Sequence, residues 1–315
     1  MTLLLTISAF AVISYTILSV VISPAFDDLE LEAARTDLVR AQRALNADVQ
    51  NLVETSADWA LWDDIYNYAI DGNLSFRNTN LIPWTLPNLD LDMMTVYAVN
   101  RELLWSDLRV DGSVRDISEL GILDTNQPAA SRLLGHQHQD DRVAGVVHTE
   151  LGPMIVSARP ILRSDHSGPN AGSLVIGKFL DDSALTQLRN RTEMNLDWIP
   201  FGDFPSQSKI DVADLMADAI HVETGSQYIA SHVVLRDIFN EPALVLSAET
   251  TRKISALGRQ TVRAAMIFLF WRSARNRCHV VPVAPNNAQA DRSSGRTHGE
   301  SSYQRRPVAR TACRQ

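Results

Sequence analysis

The first 22 positions, MTLLLTISAFAVISYTILSVVI, carry no charged side chain and are mostly apolar. A run of about 20 such residues can cross the roughly 30 Å hydrocarbon layer as a helix. No basic residues precede it, and no small-x-small cleavage site follows before Asp27. Both points favour an uncleaved anchor at 1–23 over a removed signal peptide. The missing basic flank raises the expectation of a start upstream of Met1.

From Phe26 to about Tyr68 the apolar pattern turns helical. Leu31, Leu38, Leu45, Leu52, Trp59 and Tyr66 recur every seventh residue with no proline between them. Such spacing predicts one long membrane-proximal helix whose seam packs in a coiled coil with a second copy or on its own domain. The three-residue partners Ala34, Ala41, Asp48 and Trp62 make the second seam weak. Trp59, Trp62 and Tyr66 then form an aromatic stripe on one face.

Past the Pro-punctuated IPWTLPN (82–88) the period shortens. Strands are predicted at Met93–Val99, Glu102–Val110, Arg142–Glu150, Pro153–Ile161 and Gly172–Leu180. A closing hairpin of QYIASHVVL and ALVLSAE folds over RDIFNEP. Short helices are predicted at Pro128–Leu134, Ser183–Arg191 and Val212–Ala219. A long helix followed by an antiparallel sheet with small helices, over about 92–250, is an α+β class. It resembles the PAS-like sensory domains of bacterial receptors.

After Trp271 there is no Leu, Ile, Phe or Lys. The apolar stretch Ala264–Trp271 is too short to span a bilayer, so 256–271 reads as an incomplete second span. Residues 272–315 read as a disordered basic tail, either natural or the product of out-of-frame translation. Arg272, Arg275 and Arg277 place the cytoplasm on that side, and 24–255 on the other.

Charge narrows the function classes. The chain has 29 basic and 37 acidic residues; residues 1–271 hold 20 and 35, a net of −15. So acidic an ectodomain does not suit nucleic acid, whose phosphates require basic surface. Both cysteines, Cys278 and Cys313, fall in the tail, so the ectodomain is built without disulfides.

DWALWDDIYNYA (58–69) is the densest chemistry in the chain. Asp58, Asp63 and Asp64 offer carboxylates for acid–base work, but one helix rarely sets two of them across a substrate. No nucleophile elbow, zinc-binding His-Glu-x-x-His or phosphate-binding Gly loop occurs, so neither an enzyme nor a cofactor is expected here. GHQHQDD (135–141) carries zinc-type ligands, yet His at i and i+2 reads first as a solvated loop. As structure, Asp58 would cap and Asp63 would accept hydrogen bonds from a loop or from indole N–H groups.

DWALWDDIYNY resembles the signature of the fourth family of CHASE domains, the extracellular sensor modules of bacterial cyclases and histidine kinases. The likeness extends to SARPILRSD (157–165), AGSLVIGKFLDD (171–182) and TTRKISALGRQ (250–260), over roughly 26–262. The resemblance implies a periplasmic sensor anchored in the bacterial inner membrane, meeting a small extracellular ligand and pairing as a homodimer through its membrane-proximal helix. It singles out Asp58, Trp59, Trp62, Asp63 and Tyr66, with Asn80, Arg159 and Asp182 as weaker matches. These serve as an anchor for the signalling helix or as ligand contacts. The family feeds diguanylate cyclase, cyclic di-GMP phosphodiesterase or histidine-kinase outputs. This chain has no GGDEF or EAL stretch and no phosphoacceptor-histidine box, so it is expected to sense without emitting. The alternative from another class is an adhesion or scaffold ectodomain, which would leave a large apolar patch on the sheet.

Overall fold

The computed structural model describes residues 2–124, 126–204 and 219–278. Residues 1–267 form one compact unit and 268–315 another. In the first, the apolar run folds as helix α1 (Thr2–Ile17) and passes through a wider π turn at Leu18–Ile22 into helix α2 (Ser23–Ala60). Pro24 has no N–H to donate and its ring crowds the carbonyl one turn back, and the widened turn sits at that place. Among the described residues, the helix over Val12–Ala60 holds the stretch long and apolar enough to cross a membrane.

The expected helix to Tyr68 is broken eight residues early. Trp62 adopts an extended conformation (φ −116°, ψ 129°), and a separate helix α3 follows at Asp63–Asp71. Leu162 donates its backbone N–H to the Ala60 carbonyl, so a partner outside the helix takes an acceptor at its end. Tyr66 therefore leaves the heptad seam, and the single stripe through Trp59, Trp62 and Tyr66 does not form. Helices α4 (Leu74–Asn80) and α5 (Thr85–Leu89) complete the turn towards the sheet.

Among the described residues, ten strands build two antiparallel sheets where the sequence pattern suggested one. The first sheet holds β1 (Met93–Ala98), β2 (Leu103–Val110), β3 (Ser113–Arg115), β4 (Val143–Thr149), β5 (Gly152–Pro160) and β6 (Gly172–Phe179), in the order β3-β2-β1-β6-β5-β4. The second holds β7 (Asn195–Pro200), β8 (His221–Thr224), β9 (Tyr228–Arg236) and β10 (Pro242–Thr251), in the order β7-β10-β9-β8. Strands β3, β7 and β8 lacked an apolar run to announce them. Helix α6 (Pro128–Leu134) matches its expected bounds, and α7 (Asp182–Thr192) carries the chain from β6 to β7. The helix expected at Val212–Ala219 lies almost wholly outside the described residues.

The heptad seam is spent inside the molecule. Leu38, Leu45 and Leu52, with Ala34 and Ala41, are buried, and α2 packs on both sheets. One core joins α2 to Met94, Val96, Ile155, Leu174 and Ile176 of the first sheet and to Val233, Leu244 and Leu246 of the second. The alternate residues Met93, Tyr97, Met154, Val156 and Val175 face a second core under α6. Both faces of this sheet are thus covered, which is why β1, β5 and β6 read as continuous apolar runs. Among the described residues, its central strands leave no bare face of the kind a scaffold would present.

The second sheet returns the chain to the base of α2. A helix at Lys253–Cys278 follows β10, so Arg272, Arg275 and Arg277 stand on helical turns where a disordered tail was expected to begin. The rest of that tail lies outside the described residues. Near its start, Gly258 passes so close to Phe26 that an added Cβ would come within 2.5 Å of the ring. Only glycine permits this approach.

Candidate functional site

Two stretches about 100 residues apart, singled out separately in the sequence, turn out to be partners. Asp63, in the first turn of α3, accepts hydrogen bonds from the Ser164 N–H (3.1 Å) and hydroxyl (2.7 Å). These bonds hold its carboxyl below the ordinary range, the hydroxyl contributing most. The Arg163 guanidinium lies 4.5 Å from the centre of the Tyr66 ring, a cation–π contact. Deeper in, the Ser56 and Ser157 hydroxyls meet at 2.8 Å where α2 crosses β5. Gly168 (φ +83°) completes the loop, and a Cβ there would sit 3.1 Å from the Tyr66 hydroxyl.

The tryptophans serve the same joint. Trp59 and Trp62 meet edge to face at 5.9 Å, Trp62 meets Phe76 of α4 at 5.3 Å, and Phe76 meets Tyr68 at 5.4 Å. The Tyr68 hydroxyl donates to the Leu104 carbonyl of β2, and burial raises its pKa. Trp59 and Trp62 are only half-buried, whereas Tyr66 is 2% exposed and anchors the cluster.

The other expected residues do not converge here. Asp58 is exposed and makes no hydrogen bond among the described residues, so it caps nothing. Asn80 ends α4, donating to the Phe76 carbonyl and accepting from the Thr85 hydroxyl through its own backbone. Asp182 is exposed in the first turn of α7, where the cap is Asp181 instead. Arg159 lies at the far end of β5 with no ion pair among the described residues. Its pKa is lowered by burial and then by Arg142. In the loop 135–141, Asp141 accepts from the Gln137 and His138 N–H groups and acts as a turn brace. Burial pushes His136 down to about 4. Its Nε2 is buried and holds no hydrogen bond among the described residues.

Sequence reasoning missed the base of the domain. Arg252, immediately after β10, ion-pairs with Glu30 (3.1 Å) and with Asp27, both near the start of α2. Glu30 is 2% exposed. The stretch TTRKISALGRQ had marked the place, but nothing local named the partner.

A mixed helix-and-sheet domain threaded on a helix that continues an apolar one is built as a receptor module. The particular likeness is to CHASE4: the CHASE4 domain model matches residues 44–198, as the signature suggested, and the chain carries an extracellular sensor domain of the kind found in signalling proteins. It is 25% identical over 229 residues to the methanogenesis regulatory histidine kinase FilI of Methanothrix harundinacea (strain 6Ac), covering 72% of this chain. The chain spans 25% of the length of that relative. Among solved structures it is similar to the extracellular domain assigned to a histidine kinase, vpHK1S-Z8 (TM-score 0.49, 10% identity, 73% of this chain and 94% of that one). It is also similar to the periplasmic domain of Vibrio cholerae LuxQ (TM-score 0.37, 14% identity, 76% and 99%).

Proposed function

We propose that this chain is the receiving part of a bacterial signalling protein of the histidine-kinase or cyclic di-GMP type. It stands outside the inner membrane, binds a small extracellular molecule and hands the event to an output through its membrane-proximal helices. The observation that carries this reading is the path of α2, which is packed on both sheets and continuous with the apolar α1. A shift of either sheet must move that helix. The signature residues Asp63 and Tyr66 act in this scheme as a latch between helix and sheet, since their partners lie within the chain. The protein acts as a homodimer through the base of α2, where Leu29 is 58% exposed.

Topology is the direct test. A reporter active only in the periplasm, fused after Asp182 in a bacterial host, is expected to be active. Activity of a cytoplasm-only reporter at the same position overturns the reading.

A further inference from the structure

A cleft of about 190 Å³ opens where α2, α7 and the end of β6 meet, beside Trp198 of β7. It lies away from the Asp63–Ser164 latch and holds none of the signature residues. Two ion pairs line it. Arg191 of α7 grips Asp48 of α2 with both nitrogens at 2.6 Å. Lys178 of β6 pairs with Asp90. Between them lies an apolar floor that includes Leu45, Leu52 and Leu188. The side-chain amides of Asn51 and Gln187 reach the same space and hold no hydrogen bond among the described residues.

Charge selects the ligand class. Asp48 and Asp90 balance Arg191 and Lys178, so the cleft is neutral but strongly dipolar. A singly charged molecule would leave one member of a pair uncompensated, which is costly beside an apolar floor. A zwitterion offers a carboxylate to the cations and an ammonium to the aspartates, and so leaves every charge matched. The volume is below the roughly 300 Å³ at which drug-sized pockets begin. We propose that this cleft binds a small zwitterion bearing an apolar group, which inserts at the Asp48–Arg191 contact. The inference rests on the sensor reading above and adds the place and the ligand class.

The location gives binding a consequence. Asp48 belongs to the helix that continues into α1, and α7 is the chain's link from the first sheet to the second. A ligand that takes over part of the Asp48–Arg191 contact shifts α2 relative to the second sheet. Only a ligand with differential affinity for the two arrangements can do so, and the exchanged ion pair supplies that difference.

The test uses the full chain in lipid nanodiscs, titrated in a calorimeter with leucine, 4-methylpentanoate and 3-methylbutylamine. The three share an apolar group but carry both charges, the carboxylate alone or the ammonium alone. Leucine is expected to saturate in the millimolar range or below, and each singly charged analogue to bind at least about tenfold more weakly. Thr55→Phe fills the cleft and leaves all four charged groups in place. It is expected to abolish leucine binding without moving the urea midpoint. Should that variant fail to fold, Gln187→Trp on the exposed rim replaces it. Leucine that does not saturate by about 10 mM overturns the proposal. So does 4-methylpentanoate binding as tightly as leucine, or wild-type binding by a folded cleft-filling variant. The periplasmic reporter after Asp182 reads the sensor topology independently, so either reading can fail alone.

Discussion

Asp63 shows how much a single side chain can be misread without its partner. Beside two tryptophans and a second aspartate it has the look of chemistry, yet its oxygens are taken by Ser164. Tyr66 is similarly engaged by Arg163. His136 is the opposite case, expected in a solvated loop yet partly buried, and that burial has a consequence. Its pKa is pushed down from 6.5 to about 4, so the unfolded chain takes up a proton there before the folded one does. Stability that is present above about pH 6.5 is therefore lost as pH falls towards 4, and His232, also lowered by burial, acts in the same direction. The urea midpoint of the wild type is expected to drop across this window. His136→Gln should remove part of that drop, and a variant profile identical to the wild type's would show that the imidazole titrates alike in the folded and unfolded chain.

At the scale of elements, what matters is where helices end and what they lean on. Helix α2 stops at Ala60 because the loop carrying Leu162 and Ser164 claims its end, and the acids Asp63 and Asp64 then suit the positive end of α3. At its other end α2 is fastened to the exit of β10 by Arg252, whose side chain is 12% exposed. Arg252→Ala strips Glu30, a buried carboxylate, of its guanidinium partner and is expected to cost about 3 kcal/mol in urea unfolding of the full chain. Arg252→Lys keeps the charge without the fork and should lose less. A cost below about 1 kcal/mol for the alanine variant would mean that the pair is incidental to the fold.

For the whole molecule, the two sheets share one helix, and that helix has spent its heptad leucines on them. Leu38, Leu45 and Leu52 are therefore closed to a second copy, so the proposed dimer would have to form at the base of α2 around Leu29. With Cys278 and Cys313 replaced by serine, Leu29→Cys in native membranes is expected to give an oxidised dimer on a non-reducing gel. A cysteine at exposed Ala47, higher on the helix, should cross-link less. Equal yields at both positions, or none at Leu29, would remove the dimer from the proposal.

Much of this protein was written locally. Charge-free residues 1–22 and the sevenfold leucines are patterns that any surroundings would read as helix, and both apolar cores show in the continuous runs of β1, β5 and β6. The α+β class and the CHASE4 likeness followed from such runs and from one aromatic stretch. The division into two sheets did not, because β7 and β8 are short, carry no clear run of apolar residues and pair only along β10 and β9 beside them. Nor did the break at Trp62, since residues 58–69 are good helix and only Leu162, a hundred positions away, takes the carbonyl of Ala60. The same holds for Asp63 with Ser164, Arg252 with Glu30, and the paired charges around the cleft. Periodicity reports which face of an element is apolar, whereas the partner of a polar group depends on which distant segment the fold brings within 3 Å.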